Sequence, residues 1–252
     1  MNTQAPHPET PPKNSNATLW GVLAIALILG GVTFLVCMGV LNRVIVPTLE
    51  TAQEASRRTA CQTNIRKIAV ALLSYHDAYN TFPPAYTQDA DGNRLHSWRT
   101  LVLPFTDEGF ELYQQIDLTQ PWDHPSNQAA HSTELSLFRC PSSELEPGFT
   151  TYQAVVDPDG VFKPDAQTSL VEIRDGVAST LLFLEADLQQ AVHWMQPEDR
   201  SRNDFLGMID PEVHVDSYNY ATADGRVSLL NSNTDEESRL ALLNIAGQGK
   251  EN

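Results

Sequence analysis

His214 stands ten residues ahead of the Asp224-Gly225 pair, and an imidazole and a carboxylate at that spacing offer either a ligand pair or an acid-base couple. Glu185, His193 and Asp199 would join them if their segments converged. The plainer account is stronger. An Asp-Gly pair between two apolar runs is first a tight turn, and a histidine ten residues earlier can bond across a hairpin or to a backbone carbonyl. No HExxH, GxSxG, P-loop or GxGxxG accompanies these residues, so no catalytic residue is assigned and the chain is not expected to be an enzyme.

Asp89, Asp91 and Asn93 alternate around Gly92, a spacing that presents oxygens to Ca²⁺. The pattern is incomplete, since the twelfth position of an EF-hand loop falls on Thr100 and DADGN is equally a solvated turn. Calcium is therefore the one weak cofactor candidate, and none is expected. Asp157-Pro158-Asp159-Gly160 reads as a turn. Cys61 and Cys140, with no CxxC and no matched histidine pair, make a poor zinc signature. A reactive thiol pair is a further reading, but a single disulfide in an oxidising compartment suits them better. Trp98, Trp122 and Trp194 with Tyr75, Tyr79, Tyr86 and Tyr113 would line a solute or glycan groove, or, as large apolar bodies more often do, fill a core. His76, on an apolar helix face, reads as a core residue.

The elements that must position these residues begin with a membrane segment. Leu19 to Leu41 is an uncharged apolar run of 23 residues. As a helix rising about 1.5 Å per residue it spans the roughly 30 Å hydrocarbon core of a bilayer. It is longer than a signal-peptide core, only Lys13 precedes it as a basic residue, and no small-x-small cleavage site follows Leu41, so a retained anchor is expected. The chain divides into a disordered tail at 1–17, an anchor at 18–42 and one domain at 43–252, with no linker or repeat inside that domain.

Orientation rests on competing signals. Lys13 against Arg43, Arg57 and Arg58 slightly favours a cytoplasmic C-terminal domain. Cys61 and Cys140, alone outside the membrane, favour an oxidising compartment. Beyond residue 42 the chain holds 15 basic against 31 acidic residues, a net charge of −16, which argues against nucleic acid or anionic lipid as partners.

From Val44 to about Tyr79, Ile65, Ile68, Ala69, Leu72, Leu73 and His76 fall on one helical face, with Arg66, Lys67 and Ser74 mostly on the other. Pro47 should kink this helix, and Phe82-Pro83-Pro84 should stop it. After Pro84, SWRTLVLPF, LSLFRC, TTYQAVV, TLLFLEA, DSYNYATA and GRVSLL read as strands between turn signals, TLLFLEA being ambiguous by length, and FELYQQI as a helix. Thr234 with Glu237 would form a capping box for a last short helix in which Leu240 and Leu243 share a face. The fold class is α+β: a transmembrane helix running into a long amphipathic helix packed on an antiparallel β-rich domain.

Several stretches together resemble one bacterial family: PTLETAQEASRRTACQTNIRKIAVALLSYHDAYNTFPPAY, SWRTLVLPF, LYQQIDLTQPWDHPSN, FRCPS, IRDGVASTLLFLEA with Asp175 and Gly176, and H-x(9)-D-G at His214, Asp224 and Gly225. It is the prepilin-like domain of unknown function with a C-terminal H-x(9)-D-G signature, sometimes labelled a bacterial solute-binding domain. The resemblance covers about residues 44 to 250. It implies a pseudopilin-like envelope protein in the bacterial inner membrane, N-terminus inside and C-terminal domain outside, with no established enzymatic activity. A structural or assembly role is the expectation; a tethered extracellular solute- or glycan-binding module is the alternative. The implied partners are the membrane and other envelope proteins or a second copy of the chain. The anchor departs from the family pattern: Ala26 and Gly30 stand where a processing Phe and an assembly Glu would fall.

Overall fold

The computed structural model describes residues 15–208, 211, 213, 214 and 217–246. Residues 1–14 of the expected disordered tail, and the closing segment of the family resemblance from 247 on, lie outside them. The chain divides into two compact units, residues 1–53 and 54–252.

In the first unit, helix α1 runs Ser15–Val40. Its apolar side chains, among them Trp20, Leu27, Phe34 and Leu35, are exposed around the helix. An all-round apolar surface is costly in water and suits lipid, and 26 residues give about 39 Å of helix, enough to cross a bilayer. A π-helical turn, Leu41–Ile45, follows, with the Val46 amide bonded to the Leu41 carbonyl. Proline at 47 has no amide hydrogen and crowds the carbonyl four residues back, so a widened turn just before it relieves the conflict. Helix α2, Val46–Tyr79, starts there.

The second unit is built on α2 from Glu54 onward. Cys61, Ile65, Ile68, Ala69, Ala71 and Leu72 form its buried face, as the helical spacing predicts. The helix ends at Tyr79, as the spacing predicts, but its stop is Asn80 rather than the prolines. Asn80 adopts φ +62° and returns its amide to the His76 carbonyl at 2.7 Å, a left-handed cap that Asn tolerates better than most residues. His76 is half-buried, packs its ring at a tilt against Phe82 and accepts the Leu170 amide at 3.1 Å.

Strands β1 (Tyr86–Gln88) and β2 (Arg94–Ser97) form a hairpin. Short helices α3 (Trp98–Leu101), α4 (Phe110–Tyr113) and α5 (Gln128–His131) follow. Then come β3 (Phe149–Thr150), β4 (Tyr152–Gln153), β5 (Val155–Val156), β6 (Leu181–Glu185), β7 (Val192–His193) and β8 (Arg200–Ser201). Helix α6 (Arg202–Leu206), β9 (Ser217–Thr222), β10 (Val227–Asn231) and α7 (Glu236–Leu243) complete the described chain. The main sheet has the order β10-β9-β6-β4 and is antiparallel throughout; β5 and β8 pair in parallel beside it. The fold is therefore α+β with antiparallel sheets and a long N-terminal helix.

Two expected strands are absent. SWRTLVLPF leaves β2 at Ser97, whose hydroxyl accepts the Arg99 amide at 3.1 Å and turns the chain into α3. LSLFRC forms only a 3-10 turn, Ser136–Phe138. The cap of α7 is Asp235, whose carboxylate accepts the Ser238 amide at 2.8 Å, one residue beyond the expected Thr234. FELYQQI is helical over α4, and the runs TLLFLEA, DSYNYATA and GRVSLL are β6, β9 and β10. Trp98 is wholly buried against Phe162 and Phe183, so it serves the core, as does buried Trp194.

Candidate functional site

Four buried side chains from distant segments converge beneath α2. Cys61 comes from the buried face of the helix, Cys140 from the turn after residues 136–138, Glu185 from the end of β6 and His214 from the segment entering β9. Their side-chain donor atoms all lie within 4.8 Å of one another. The two cysteines form a disulfide with Cα atoms 4.9 Å apart across 79 residues. Closing so long a loop stabilises by roughly 4 kcal/mol on chain entropy.

His214 is gripped at both ring nitrogens. Its Nδ1 is 3.1 Å from Glu54 Oε1 and its Nε2 is 3.3 Å from Glu185 Oε2. The Cys140 sulfur lies 3.7 Å from Nε2. Burial opposes charge on the ring, but the bonds and charges of the two carboxylates outweigh it and raise the imidazole above its usual value. With an acceptor at each nitrogen the imidazolium is the favoured form. Glu54 is itself drawn below its ordinary value: the cost of burial, the largest single influence, is outweighed by the combined bonds from Arg57, His214 and Ser142.

A second layer fixes the carboxylate. Asn219 Nδ2 donates to Glu185 Oε2 at 2.8 Å, and Gln62 Nε2 donates to Asn219 Oδ1 at 3.2 Å. Glu185 Oε1 is buried with no hydrogen-bond partner. Arg58 bonds the hydroxyl of Ser217 at the start of β9. Tyr152, buried beside Glu185, has its phenol pushed well up by burial and by that charge. In its disulfide form the cluster is closed: His214 and Glu185 side chains are each 1% exposed, and a doubly hydrogen-bonded imidazolium has no lone pair to offer a substrate.

Asp224 and Gly225 lie elsewhere. They form the β9–β10 turn, and the six residues of β9, at about 3.3 Å each, separate them from His214 by roughly 20 Å. Asp224 Oδ1 accepts the Thr222 hydroxyl at 2.6 Å and the Arg226 amide at 3.2 Å, while Oδ2 pairs with Arg226 at 2.9 Å. Gly225 has φ +81°, and a Cβ there would sit 2.9 Å from Leu73 Cδ1. Asp175-Gly176 is likewise a turn, with Gly176 at φ +95° and the Asp175 carbonyl taking the Ser179 hydroxyl at 2.7 Å. In the β1–β2 loop, Asp89 binds its own loop: Oδ1 accepts the Asp91 and Asn93 amides and Oδ2 the Asn93 side chain at 2.8 Å.

Of the three acidic or imidazole residues expected to join His214, only Glu185 does. His193 stacks on His131, with ring centroids 4.2 Å apart, and on Trp122 at 5.3 Å. Asp199 belongs to Arg99, whose Nη1 it meets at 2.7 Å with both side chains out of solvent. The Arg99 guanidinium also donates to the carbonyls of Tyr152, Trp194, Gln196 and Glu198, so its fork organises three chain segments. Sequence reasoning missed Arg99 and Glu54. A lone arginine inside the apolar run SWRTLVLPF was the available signal for the first; nothing local marks Glu54.

Alongside α2 an open 290 Å³ cleft is floored by Val70, Phe105 and Leu137 and rimmed by Arg66, Lys67, Asp107 and Glu108. Glu108 is partly engaged, accepting the Ser136 hydroxyl at 2.8 Å.

The family described as "Protein of unknown function (DUF1559)", with the short label SBP_bac_10, matches residues 50–213, more than half of the chain, and the chain belongs to that family. No curated protein and no solved structure matches it.

Proposed function

Starting from this family membership, we propose that the protein is a single-pass subunit of the bacterial inner membrane, with residues 54–252 outside the cytoplasm and a pseudopilin-like structural or assembly role. The carrying observation is the Cys61–Cys140 disulfide, buried in the domain that follows an apolar helix long enough to cross a membrane. Disulfides persist where the compartment is oxidising, which outweighs the small excess of arginine after the anchor. A non-catalytic role is supported by the commitment of the conspicuous polar residues to one another: His214 to two carboxylates, Asp224 to its turn, Asp199 to Arg99.

Without Phe at 26 or Glu at 30, the chain is expected to escape prepilin processing and to lack the buried carboxylate that would pair subunits in the membrane, so it works alone or in small assemblies. The solute-binding alternative draws on the cleft beside α2. Its 290 Å³ falls just below the range of ligand sites, a second cleft of 390 Å³ lies between α2 and β10, and both are open to solvent rather than enclosing. That favours the assembly role.

Crosslinking in native membranes, paired with a screen of the purified full-length protein for hydrolytic turnover and for thermal shifts with small solutes, tests the proposal. Envelope proteins or a second copy crosslinked to the domain, with no turnover, support it. Turnover that depends on His214 or Asp224 would overturn the non-catalytic assignment, and a saturable shift abolished by changes at Lys67 or Phe105 would favour the binding module.

A further inference from the structure

We propose that Cys61, Cys140, Glu185 and His214 form a zinc site when the cysteines are in the thiol state, so that the disulfide and a Zn²⁺ ion are alternative occupants of one buried cluster. The four donors are a Cys₂-His-Glu set, types that bind zinc tetrahedrally. With zinc bonds of about 2.3 Å to sulfur and about 2.0 Å to nitrogen and oxygen, a tetrahedron places N and S about 3.5 Å apart and N and O about 3.3 Å apart. The observed separations are 3.7 Å from His214 Nε2 to Cys140 Sγ and 3.3 Å to Glu185 Oε2. The remaining donor pairs lie within 4.8 Å, so the sulfurs must part once their bond is cut and the other donors close in by at most about 1.5 Å.

A second, independent observation is the buried Glu185 Oε1, which has no hydrogen-bond partner. A carboxylate left half-satisfied inside a protein is costly, and a cation held by both of its oxygens would remove the cost. The outer layer is also that of a metal centre. Glu54 holds Nδ1 of His214 at 3.1 Å, the carboxylate–histidine arrangement that orients a ligating imidazole through its far nitrogen, and Asn219 steadies Glu185. Two thiolates and one carboxylate leave a single negative charge around Zn²⁺, and Arg58, fixed on Ser217, supplies a neighbouring cation. Sequence spacing conceals the site because its ligands come from four separate segments.

A dithiol reductant passes two electrons and two protons to the Cys61–Cys140 bond and closes to its own disulfide. Zn²⁺ then displaces the two thiol protons and the proton on His214 Nε2. Reoxidation by a disulfide donor expels the ion.

The test uses the full chain in detergent micelles with Cys37, the free thiol of α1, changed to serine. The protein is reduced with a phosphine, desalted and titrated with ZnSO₄ or CoCl₂. We expect one metal per chain, thiolate-to-cobalt charge transfer with tetrahedral cobalt bands, and loss of both on reoxidation. Glu54→Gln, behind His214, should weaken zinc binding by about 10- to 100-fold and Glu185→Gln by more, and Cys61→Ser with Cys140→Ser should abolish the charge-transfer band. Equal metal uptake by the oxidised chain, or a folded reduced chain with two free thiols and no cobalt band, would overturn the proposal. If reduction unfolds the domain, refolding by Zn²⁺ supports the site and failure of Zn²⁺ to refold it counts against it.

Discussion

Glu185 closes one central strand with its carboxylate 3.3 Å from Nε2 of His214, and both side chains are almost wholly removed from water. The pair joins the end of β6 to the approach of β9 directly beneath α2, next to the disulfide. A buried pair adds little net stability over apolar residues of the same shape, but losing one partner strands the other's charge. His214→Ala should therefore cost about 3–5 kcal/mol in urea unfolding, and Glu185→Gln less, because a neutral amide needs no counter-charge. A loss under about 0.5 kcal/mol for His214→Ala, the range of an ordinary surface change, would contradict the clamp.

Opening the disulfide should be costly in a different way. Cys61→Ala with Cys140→Ala frees a loop of 79 residues and should lower stability by about 2–4 kcal/mol without metal, read as a shift in the urea midpoint. An unchanged midpoint would mean that packing alone holds the helix to the segment around Cys140.

Gly225 and Asp224 should separate cleanly. Gly225→Val places a β-branched residue at φ +81° and drives its Cβ toward Leu73, so a loss of about 2–4 kcal/mol is expected. Asp224→Asn keeps the turn's shape and forfeits mainly charge, about 1 kcal/mol. Equal, negligible losses in melting temperature together with loss of a defined activity would assign these residues to a site.

His193 gives the domain a pH dependence. Its Nδ1 accepts the Met195 amide and its Nε2 faces the His131 carbonyl, which together hold the neutral ring. Burial, with the neighbouring charge of His131, pushes the imidazole down to about 4. The unfolded chain, titrating near about 6.5, takes up the proton first, so stability falls as pH drops from about 6.5 toward about 4 and the fall then ends, with at most about 3 kcal/mol lost. Melting temperatures of the wild type and of His193→Gln across this range isolate the contribution; parallel curves would contradict it.

Much of this architecture was legible from run length, helical spacing and turn residues. The buried face of α2 follows from helical spacing, α1 from the length of its uncharged run, and β9 and β10 from short apolar runs between turn signals, whereas the run of β6 is ambiguous by length. What escaped was decided by single contacts. Ser97 converts an expected strand into a helical turn by capping it, and Asn80 stops α2 before the prolines by entering left-handed space. In the site, Glu185 reaches His214 whereas His193 and Asp199 are taken by His131 and Arg99. Choices of that kind depend on strand register and on which segments lie beneath α2, and neither is carried by local sequence.

The placement of the domain outside the cytoplasm is tested most directly by adding protease to intact spheroplasts of cells making the full-length protein with a C-terminal tag. The tag and the domain should be digested from outside while a fragment carrying α1 stays with the membrane. Full protection of the tag until the membrane is lysed, with Cys61 and Cys140 recovered as free thiols, would contradict it.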